Sequence, residues 1–408
     1  MRILLVNKFI FPKGGAETYT FDVGKMLEEH GHEVQYFGLE NEKNTVGNRI
    51  GSYVTNMDFS QGIKANLNAP FRIIYSREAR KKIRAVLDDF QPDVVHLNNI
   101  QYHLTPSIIL EINKWRKETK KECKIVYTTH DYQLVCPSHG MFDVNMKPCE
   151  LCLDGHYIHC FQTKCLKNSR AKSLLGTLDG YMWKYSKAYS YVDAYICCSF
   201  FLKSKLDTQK RFRDKTIGLH NFKKEMPHLD NIQKKGYVLE FGHLSRDKGT
   251  DTLLEVAKKM HNTEFVFIGY GPSADKMKDI PNVKYLGFKT GEELYRIIAE
   301  AAISVCPSEW YENCPYSVME SVLLGTPVVG SKMGGIPELI EPGKTGELFE
   351  AGNVEDLMKA IKKVLQTQDV LERYTKNCSQ VKYETTESYY IKLMKIYRGE
   401  KNVEQISS

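Results

Sequence analysis

The 408-residue sequence lacks any run of 18 apolar residues, which excludes a helix that spans a membrane. It also lacks long blocks of like charge, because its 57 basic and 50 acidic residues are spread along the chain and leave a net charge of +7. This mild excess suits an anionic ligand or an anionic membrane surface, and it is too diffuse to indicate a nucleic-acid partner. The opening stretch MRILLVNKFIF has no small-residue cleavage site after it. We therefore interpret it as a buried strand and expect a cytoplasmic protein.

Short apolar runs alternate with helical patterns through both halves of the chain. RILLVNKF, EVQYFGL, DVVHLNN, KIVYTTH and VDAYICCS are typical of strands in the first half. YVLEFGHL, TEFVFIGYG, ISVCPS and PVVGSK are typical of strands in the second half. This alternation predicts an α/β fold in which helices cover both faces of a parallel sheet. A chain of this length, with 42% apolar residues, is long enough for two such domains.

The domain boundaries follow from changes in this pattern. We predict a first domain over residues 1–215 and a second over 237–385, joined by a polar linker, residues 216–236, that contains Pro227 and has no clear period. Residues 386–408 are predicted to form a C-terminal helix, with packing back on the first domain as one option, followed by a tail. Ligands of doubly wound sheets bind at the carboxyl ends of the strands, so the functional site is expected in the interdomain cleft.

The first strand-to-helix turn, NKFIFPKGGAETYT, contains Gly14 and Gly15. Glycines at such a turn let the backbone approach a ligand, and the free amides of the following helix attract anions. A tight turn that simply requires glycine is the alternative interpretation. The later stretch GYGPSA fits G-x-G-x-x-A, but it lies in the middle of the second half. A nicotinamide-dependent enzyme is therefore only a minor alternative.

A second candidate anion site is the stretch FGHLSRDKGTDTLL, which follows a predicted strand. It places Arg246 and Lys248 immediately before a helix. Two cations beside a helix N-terminus favour phosphate binding, and a solvated basic loop is the alternative.

The stretch ENCPYSVMESVLLG places two carboxylates eight positions apart, Glu312 and Glu320. Pro315 is favoured in the first turn of a helix, so we predict a helix that begins there and finishes at Gly325. Glu312 then lies in the preceding loop, in the cleft, and Glu320 lies one to two turns into the helix. The amides near Tyr316 and Ser317 lie between the two carboxylates. Alternatives are two unrelated glutamates, or the acid–base pair of a glycosidase.

Together these motifs resemble glycosyltransferase family 4, whose members are retaining enzymes that use nucleotide sugars. The resemblance covers nearly the whole chain through GGAE, TTHD, GHLSRDKG, FIGYGP, PSEWYENCPYSVMESVLLGTPVVGS and GGIPELI. It implies the GT-B architecture, in which two Rossmann-like, doubly wound domains face each other across a cleft.

The resemblance also implies roles for individual residues. Glu312 would bind hydroxyls of the donor sugar, Glu320 would bind the ribose hydroxyls, and His130 of TTHD would approach the sugar from the first domain. Taken alone, His130 is equally well explained as a structural residue at a strand end. The donor diphosphate would be held by the remaining candidates, which are Gly14, Gly15, Arg246, Lys248 and the amides near Tyr316 and Ser317.

One position departs from the family pattern. The family commonly has arginine directly after the glycine of the phosphate strand, where this chain has His243. Arg246 could then supply part of the charge, and His243 stays a candidate contact. No aspartate-x-aspartate motif is present, so we expect no catalytic metal.

A cysteine-rich insert occupies residues 133–170 of the first domain, on the side expected to receive the acceptor. Four thiolates at this spacing favour a structural zinc ion, with free thiols or disulfides as the alternatives. The predicted ligands are Cys136, Cys149, Cys152 and Cys165, with Cys160 or His159 as substitutes.

The resemblance leads to a functional expectation. We expect a hexose-type sugar to pass from a UDP- or GDP-sugar to a glycan or lipid-linked glycan acceptor, in the synthesis of a capsule, exopolysaccharide or lipopolysaccharide. The basic stretch REARKKIR could contact anionic lipid at the inner face of the membrane, and a solvated helix face is the alternative. The rival classes are a phosphorylase or epimerase on the same scaffold and a non-catalytic zinc-bearing binding protein.

Overall fold

The computed structural model describes residues 1–56 and 69–400, with side chains described from residue 72 onward in the second range. It contains two six-stranded parallel sheets, each with helices packed around it, which confirms the predicted α/β fold. Within the described ranges, no helix combines the length and the apolar character needed to span a bilayer.

The first sheet has the strand order β2-β1-β3-β4-β5-β6. Its strands are β1 (Arg2–Val6), β2 (Glu33–Phe37), β3 (Val94–Leu97), β4 (Lys124–Thr129), β5 (Ala194–Cys197) and β6 (Thr216–Gly218). The helices of this domain are α1 (Gly15–Glu29), α2 (Ala69–Ile74), α3 (Arg77–Phe90), α4 (Ser107–Thr119), α5 (Ile158–Thr163), α6 (Arg170–Tyr185), α7 (Phe200–Leu206) and α8 (Lys210–Arg213).

The second sheet has the strand order β12-β11-β10-β7-β8-β9. Its strands are β7 (Val238–His243), β8 (Phe265–Tyr270), β9 (Val283–Tyr285), β10 (Ile303–Cys306), β11 (Val328–Ser331) and β12 (Gly346–Phe349). The helices after the first domain are α9 (Thr250–Lys259), α10 (Gly291–Glu300), α11 (Tyr316–Leu323), α12 (Val354–Val364), α13 (Gln368–Cys378) and α14 (Thr386–Arg398).

The central strands of both sheets are covered on both faces. Ile3, Leu4, Leu5 and Val6 of β1 are completely buried. This explains why these strands appear in the sequence as continuous apolar runs and show no alternation of apolar and polar residues. In both sheets the chain reverses its strand order beside the first strand, β1 or β7, which creates the crevice where ligands of doubly wound folds bind.

The segment predicted as a linker, residues 216–236, begins inside the first domain. Its first three residues form β6, the edge strand of the first sheet, in register with Tyr195, Ile196 and Cys197 of β5. The linker prediction was wrong for residues 216–218, because a three-residue strand is too short to show a period in the sequence.

The C-terminal helix α14 packs on the first domain although it follows the second domain in sequence. The hydroxyl of Tyr389 lies 2.6 Å from that of Tyr19, and the hydroxyl of Tyr397 lies 2.7 Å from Nδ1 of His96. The chain therefore passes between the domains twice. The tail predicted after this helix includes residues 401–408, which lie outside the described residues.

Candidate functional site

Helix α11 begins at the cleft with its first amides uncapped. Pro315 stands directly before the helix in an extended conformation (φ −68°, ψ 118°), and no side chain of the described residues caps the helix start. The helix ends at Leu323, and Gly325 follows in the left-handed region (φ +73°). The predicted helix is therefore present, beginning one residue later than Pro315. The amides of Tyr316 and Ser317 are in its first turn, where an anion is favoured.

The loop before α11 holds Glu312 in a fixed position. Nζ of Lys248 lies 2.5 Å from Oε1 of Glu312, and the hydroxyl of Ser308 donates to the same oxygen at 3.3 Å. The backbone amide of Gly335 donates to the carbonyl oxygen of Glu312 at 2.7 Å. A Cβ atom on Gly334 (φ +61°) would lie 2.0 Å from that oxygen. The two glycines of GGIPELI are therefore needed to position Glu312.

Lys248 reaches Glu312 because the turn before α9 is tight. Gly249 has φ +78°, and a Cβ atom there would lie 1.9 Å from the carbonyl oxygen of Pro307. The ammonium group of Lys248 also lies 4.5 Å from the ring centroid of Trp310. Lys248 is thus held between a carboxylate and an aromatic face.

His243 and Arg246 lie near the carboxyl end of β7 and are exposed. The His243 ring packs edge-on against Tyr270, with 5.4 Å between the ring centroids. Among the described residues, Arg246 makes no ion pair within 4 Å, unlike Lys248. The structure therefore leaves the Arg246 guanidinium free to meet an anion.

Glu320 forms an ion pair that the sequence did not predict. Nζ of Lys223 lies 2.6 Å from Oε1 of Glu320, and both side chains are largely buried. The same ammonium group lies 5.3 Å from the ring centroid of Tyr316. Lys223 comes from the segment predicted as linker, 97 positions away in sequence. No local sequence pattern connects the two residues, so only the fold could reveal the pair.

The first domain presents Gly15 and His130 to this side of the cleft. A Cβ atom on Gly15 would lie 4.0 Å from the Tyr316 ring, so α1 begins directly opposite α11. Gly14 precedes α1 in an extended conformation, and both glycines are exposed.

His130 is fixed from both domains. Its Nε2 lies 2.9 Å from Oδ1 of Asn98, and its carbonyl oxygen accepts from the Nδ2 of Asn313 at 2.8 Å. Its ring packs edge-on against Tyr19 with 4.9 Å between ring centroids. Burial lowers the pKa of His130 to about 4, so the imidazole is neutral near pH 7. Asn313 was missed in the sequence, although it is next to Glu312.

The cysteines predicted as zinc ligands do come together, but the zinc prediction is not supported. Cys136, Cys149, Cys152 and Cys165 line one small cavity together with Cys160. In the part of the chain that the structure describes, no group of three or more His, Cys, Asp or Glu side chains is arranged to hold a metal ion.

A direct contact excludes Cys165 and the substitute Cys160 as joint ligands of one zinc ion in this arrangement. Their Sγ atoms are 2.9 Å apart, whereas two thiolates 2.3 Å from one tetrahedral zinc ion would be separated by about 3.8 Å. The hydrogen bond between these thiols lowers the pKa of Cys165 below the ordinary value of a thiol.

The geometry of the two domains and of the site between them defines a class of protein. Two facing α/β domains, with paired carboxylates and cations at a helix N-terminus in the cleft, are those of a GT-B glycosyltransferase. The models of two families match the chain: "Glycosyltransferase Family 4" over residues 13–221 and "Glycosyl transferases group 1" over residues 221–381. The chain belongs to glycosyltransferase family 4, and it is a glycosyltransferase.

Relatives by sequence include proteins of polysaccharide gene regions. The chain is 25% identical over 361 residues to an uncharacterised 42.6 kDa protein of the cps region of Klebsiella pneumoniae, covering 83% of this chain and 87% of that protein. It is 30% identical over 166 residues to the amylovoran biosynthesis glycosyltransferase AmsK of Erwinia amylovora, covering 37% of this chain and 41% of AmsK.

Solved structures share the fold at low sequence identity. HepE of Anabaena, solved with UDP and glucose, has a TM-score of 0.67 at 15% identity, with 98% of this chain and 99% of HepE covered. TarM has a TM-score of 0.65 at 13% identity, with coverage of 97% and 98%. These similarities establish the GT-B fold that the sequence predicted.

Proposed function

We propose that this protein is a retaining glycosyltransferase that moves a hexose-type sugar from a UDP- or GDP-sugar to a glycan acceptor. One observation carries the proposal. Glu312 and Glu320 lie on either side of the uncapped start of α11, each beside a lysine, and face Gly15 and His130 of the first domain. A donor with hydroxyls at both ends and a diphosphate in the middle matches this arrangement.

In both glutamates the carboxylate oxygen Oε2 is available to a ligand. The hydrogen bonds recorded for Glu312 among the described residues all use Oε1, and Lys223 likewise binds Oε1 of Glu320. We assign Oε2 of Glu312 to a hydroxyl of the donor sugar and Oε2 of Glu320 to the ribose. The lysines hold each carboxylate in one orientation, which reduces the entropy lost on binding.

The chemical step requires stabilisation of the negative charge that develops on the departing nucleoside diphosphate. Lys248, Arg246 and the first amides of α11 supply positive charge and hydrogen-bond donors from fixed positions. His243 stands beside them at the end of β7 and is assigned to the same group. On the opposite side, neutral His130 offers a hydrogen bond to the sugar without adding charge. The acceptor hydroxyl then attacks the anomeric carbon on the face that the diphosphate leaves. The bond between the anomeric carbon and the diphosphate oxygen breaks, the hydroxyl proton passes to the departing diphosphate, and the configuration is retained.

The acceptor is proposed from the relatives. The cps-region protein and AmsK are associated by name with surface polysaccharides, and HepE was solved with UDP, glucose and UDP-glucose. We therefore propose that this chain acts in surface-polysaccharide synthesis on a glycan or lipid-linked glycan at the cytoplasmic face of the membrane, and that UDP-glucose is the first donor to test.

Two experiments test the proposal in order. A thermal-shift panel of UDP, GDP, ADP and their sugars should show stabilisation by one base, because a ligand that binds only the folded state raises Tm. The donor identified is then incubated with glycan acceptors, and the anomeric configuration of the product is read by NMR. Stabilisation by none of the nucleotides, or an inverted product, would contradict the proposal.

The same incubations separate the rival enzymes. A phosphorylase would require inorganic phosphate for turnover, and an epimerase would convert the donor without any acceptor. We expect neither result, and only slow release of nucleoside diphosphate when the acceptor is omitted.

A further inference from the structure

Helix α6 has its large apolar side chains on the outside. Leu174, Leu178, Met182 and Tyr185 are exposed by 44%, 51%, 37% and 72%. Their spacing of four, four and three residues places them within ~80° of one another around the helix. They therefore form one continuous stripe, which we call the α6 stripe, along the length of the helix.

The opposite side of α6 explains why the stripe faces outward. The buried residues on that side are Ser173, Gly176, Thr177 and Trp183. A Cβ atom on Gly176 would lie 2.4 Å from the Leu166 side chain, and one on Gly180 would lie 2.8 Å from the Tyr157 ring. The small residues thus let the cysteine-rich insert pack closely on the helix.

Polar contacts fix the same orientation. The hydroxyl of Thr177 donates to the carbonyl oxygen of Tyr157 at 3.1 Å, and the hydroxyl of Ser173 accepts from the amide of Leu166 at 3.1 Å. Rotation of α6 to bury the stripe would break these hydrogen bonds and force larger side chains against the insert. The exposed apolar face is therefore a fixed property of this domain.

The charge around the stripe is positive. Between residues 158 and 192 the chain has six basic residues and a single carboxylate, Asp179. Asp179 is turned inward, where its Oδ1 accepts from the indole of Trp183 at 2.9 Å and burial raises its pKa to about 7. Among the described residues, none of the six cations forms an ion pair within 4 Å. They are Lys164, Lys167, Arg170, Lys172, Lys184 and Lys187.

Met182 also lines a groove shared with the basic helix α3. Arg80 and Arg84 of that helix are engaged by Glu111 and Glu118, whereas Arg77 and Lys81 make no ion pair within the described ranges. The positive surface therefore continues past the stripe. The stretch REARKKIR, chosen from the sequence as a lipid contact, supplies only part of it.

We propose that the α6 stripe and its flanking cations form a docking surface for an anionic lipid bilayer. Apolar side chains on a fixed helix face would enter the interface, and the surrounding lysines and arginines would meet lipid phosphates. A protein partner, including a second copy of this chain, would bring its own surface against these unpaired positive charges. The bilayer is therefore the occupant that the charge favours.

Co-sedimentation of the full-length protein with vesicles tests this proposal without donor or acceptor, so the result does not depend on the proposed reaction. Phosphatidylcholine vesicles with and without phosphatidylglycerol are compared. We expect binding to the anionic vesicles only, with weaker binding as salt is raised. The double variant Leu178→Gln/Met182→Gln and the double variant Lys172→Glu/Lys187→Glu should each lose about tenfold or more of the vesicle affinity.

Two matched variants control for general surface effects. Ile391→Gln removes an apolar side chain exposed by 43% on α14, and Lys359→Glu reverses an exposed charge on α12. Both should bind vesicles like the parent protein, and thermal melts should show that every variant is folded. The proposal is overturned if the parent binds no anionic vesicles, or if the α6 variants bind as the parent does. It is also overturned if the parent is a dimer in solution that Leu178→Gln/Met182→Gln dissociates.

Discussion

The two faces of the cleft differ in the groups that they present although both are built on six-stranded parallel sheets. The second domain presents Glu312 and Glu320, each in an ion pair with a lysine. The first domain presents Gly15 and a histidine, His130, that is held neutral. The face that carries the charges is the one proposed to bind the nucleotide donor. His130 of the first domain is proposed to approach the sugar, where a charge on its ring would compete with the diphosphate for the cations.

The interiors of the two domains differ in the kind of titratable side chain that each sheet buries. The first sheet buries His96, whose pKa burial lowers to about 3, and the second sheet buries Glu240, whose pKa burial raises to about 8. His96 and Glu240 are therefore both neutral near pH 7, a base in one domain and an acid in the other. The ion pairs of the candidate site are thus on the second-domain face, whereas His130 of the first domain is neutral, and the following variants test the roles proposed for both.

The largest effect is expected on the charged face. Glu312→Ala should lower kcat/KM for sugar transfer by about 100-fold or more, because the donor sugar loses the carboxylate that fixes it and Lys248 loses its orientation. The measurement is a steady-state transfer assay. Glu341→Ala, which removes a surface glutamate paired with Lys344, should leave the rate unchanged. Full activity of Glu312→Ala would remove this residue from the site.

On the first-domain face, His130→Ala should lower kcat by about tenfold, since one hydrogen bond to the sugar is lost in the transition state. Because the pKa of His130 is near 4, the parent enzyme should show no inflection from this group between about pH 5 and 8. The assay is kcat against pH, with His261→Ala at an exposed position as control. An inflection near pH 6.5 that disappears in His130→Ala would show that the histidine is charged in the working enzyme.

Glu320→Gln tests the nucleotide end of the charged face. The amide keeps the size of the side chain but loses the charge that pairs with Lys223 and binds the ribose. We expect the Kd for the nucleoside diphosphate, measured by calorimetry, to rise about fivefold. Glu372→Gln, on the exposed side of α13, serves as the matched control. An unchanged Kd would contradict the ribose assignment.

The smallest effect on sugar transfer is expected at the buried acid of the second domain, whose substitution changes stability. The hydroxyl of Thr250 donates to Oε1 of Glu240, while Oε2 is buried without a hydrogen-bond partner among the described residues. The pKa of Glu240 in the folded protein, about 8, is above its ordinary value of 4.5. The contribution of protonated Glu240 to the free energy of unfolding is therefore complete below pH 4.5 and is lost as pH rises toward 8.

Glu240→Gln replaces the carboxyl group with an amide that neither gains nor loses a proton in this pH range. Relative to the parent, the free energy of unfolding of Glu240→Gln should improve by about 1.4 kcal/mol for each pH unit between 4.5 and 8, about 5 kcal/mol in all. Denaturant unfolding at both pH values measures the change, with Glu255→Gln at an exposed position as control. A constant difference across this range would mean that Glu240 is ionised in the folded protein.

Much of the fold was predictable from the sequence because both sheets are covered on both faces. Strands such as β1 and β8 are continuous apolar runs, which the sequence predicts as strands. The prediction was wrong at 216–218, because β6 is a short edge strand whose three residues are recognisable only by their pairing with β5.

The candidate site was predictable where its residues lie close together in sequence. Glu312, Tyr316, Ser317 and Glu320 share one loop and helix, so their spacing predicts their arrangement. Lys223 and Asn313 were not predicted, because their partners Glu320 and His130 lie 97 and 183 positions away. The spacing of the cysteines along the sequence predicted a zinc site. Spacing does not determine the distances between the sulfur atoms, which depend on how α5 packs against α6.

The sequence by itself determined the alternation of strands and helices, the family, and the placement of two carboxylates around a helix that begins after Pro315. Only the tertiary structure decided which lysine pairs with each carboxylate, which thiols touch, and which side of α6 meets solvent. The physical reason is that periodicity determines which residues share a face of a helix. The close approach of the insert, possible only over Ser173 and Gly176, determines which of those faces is buried.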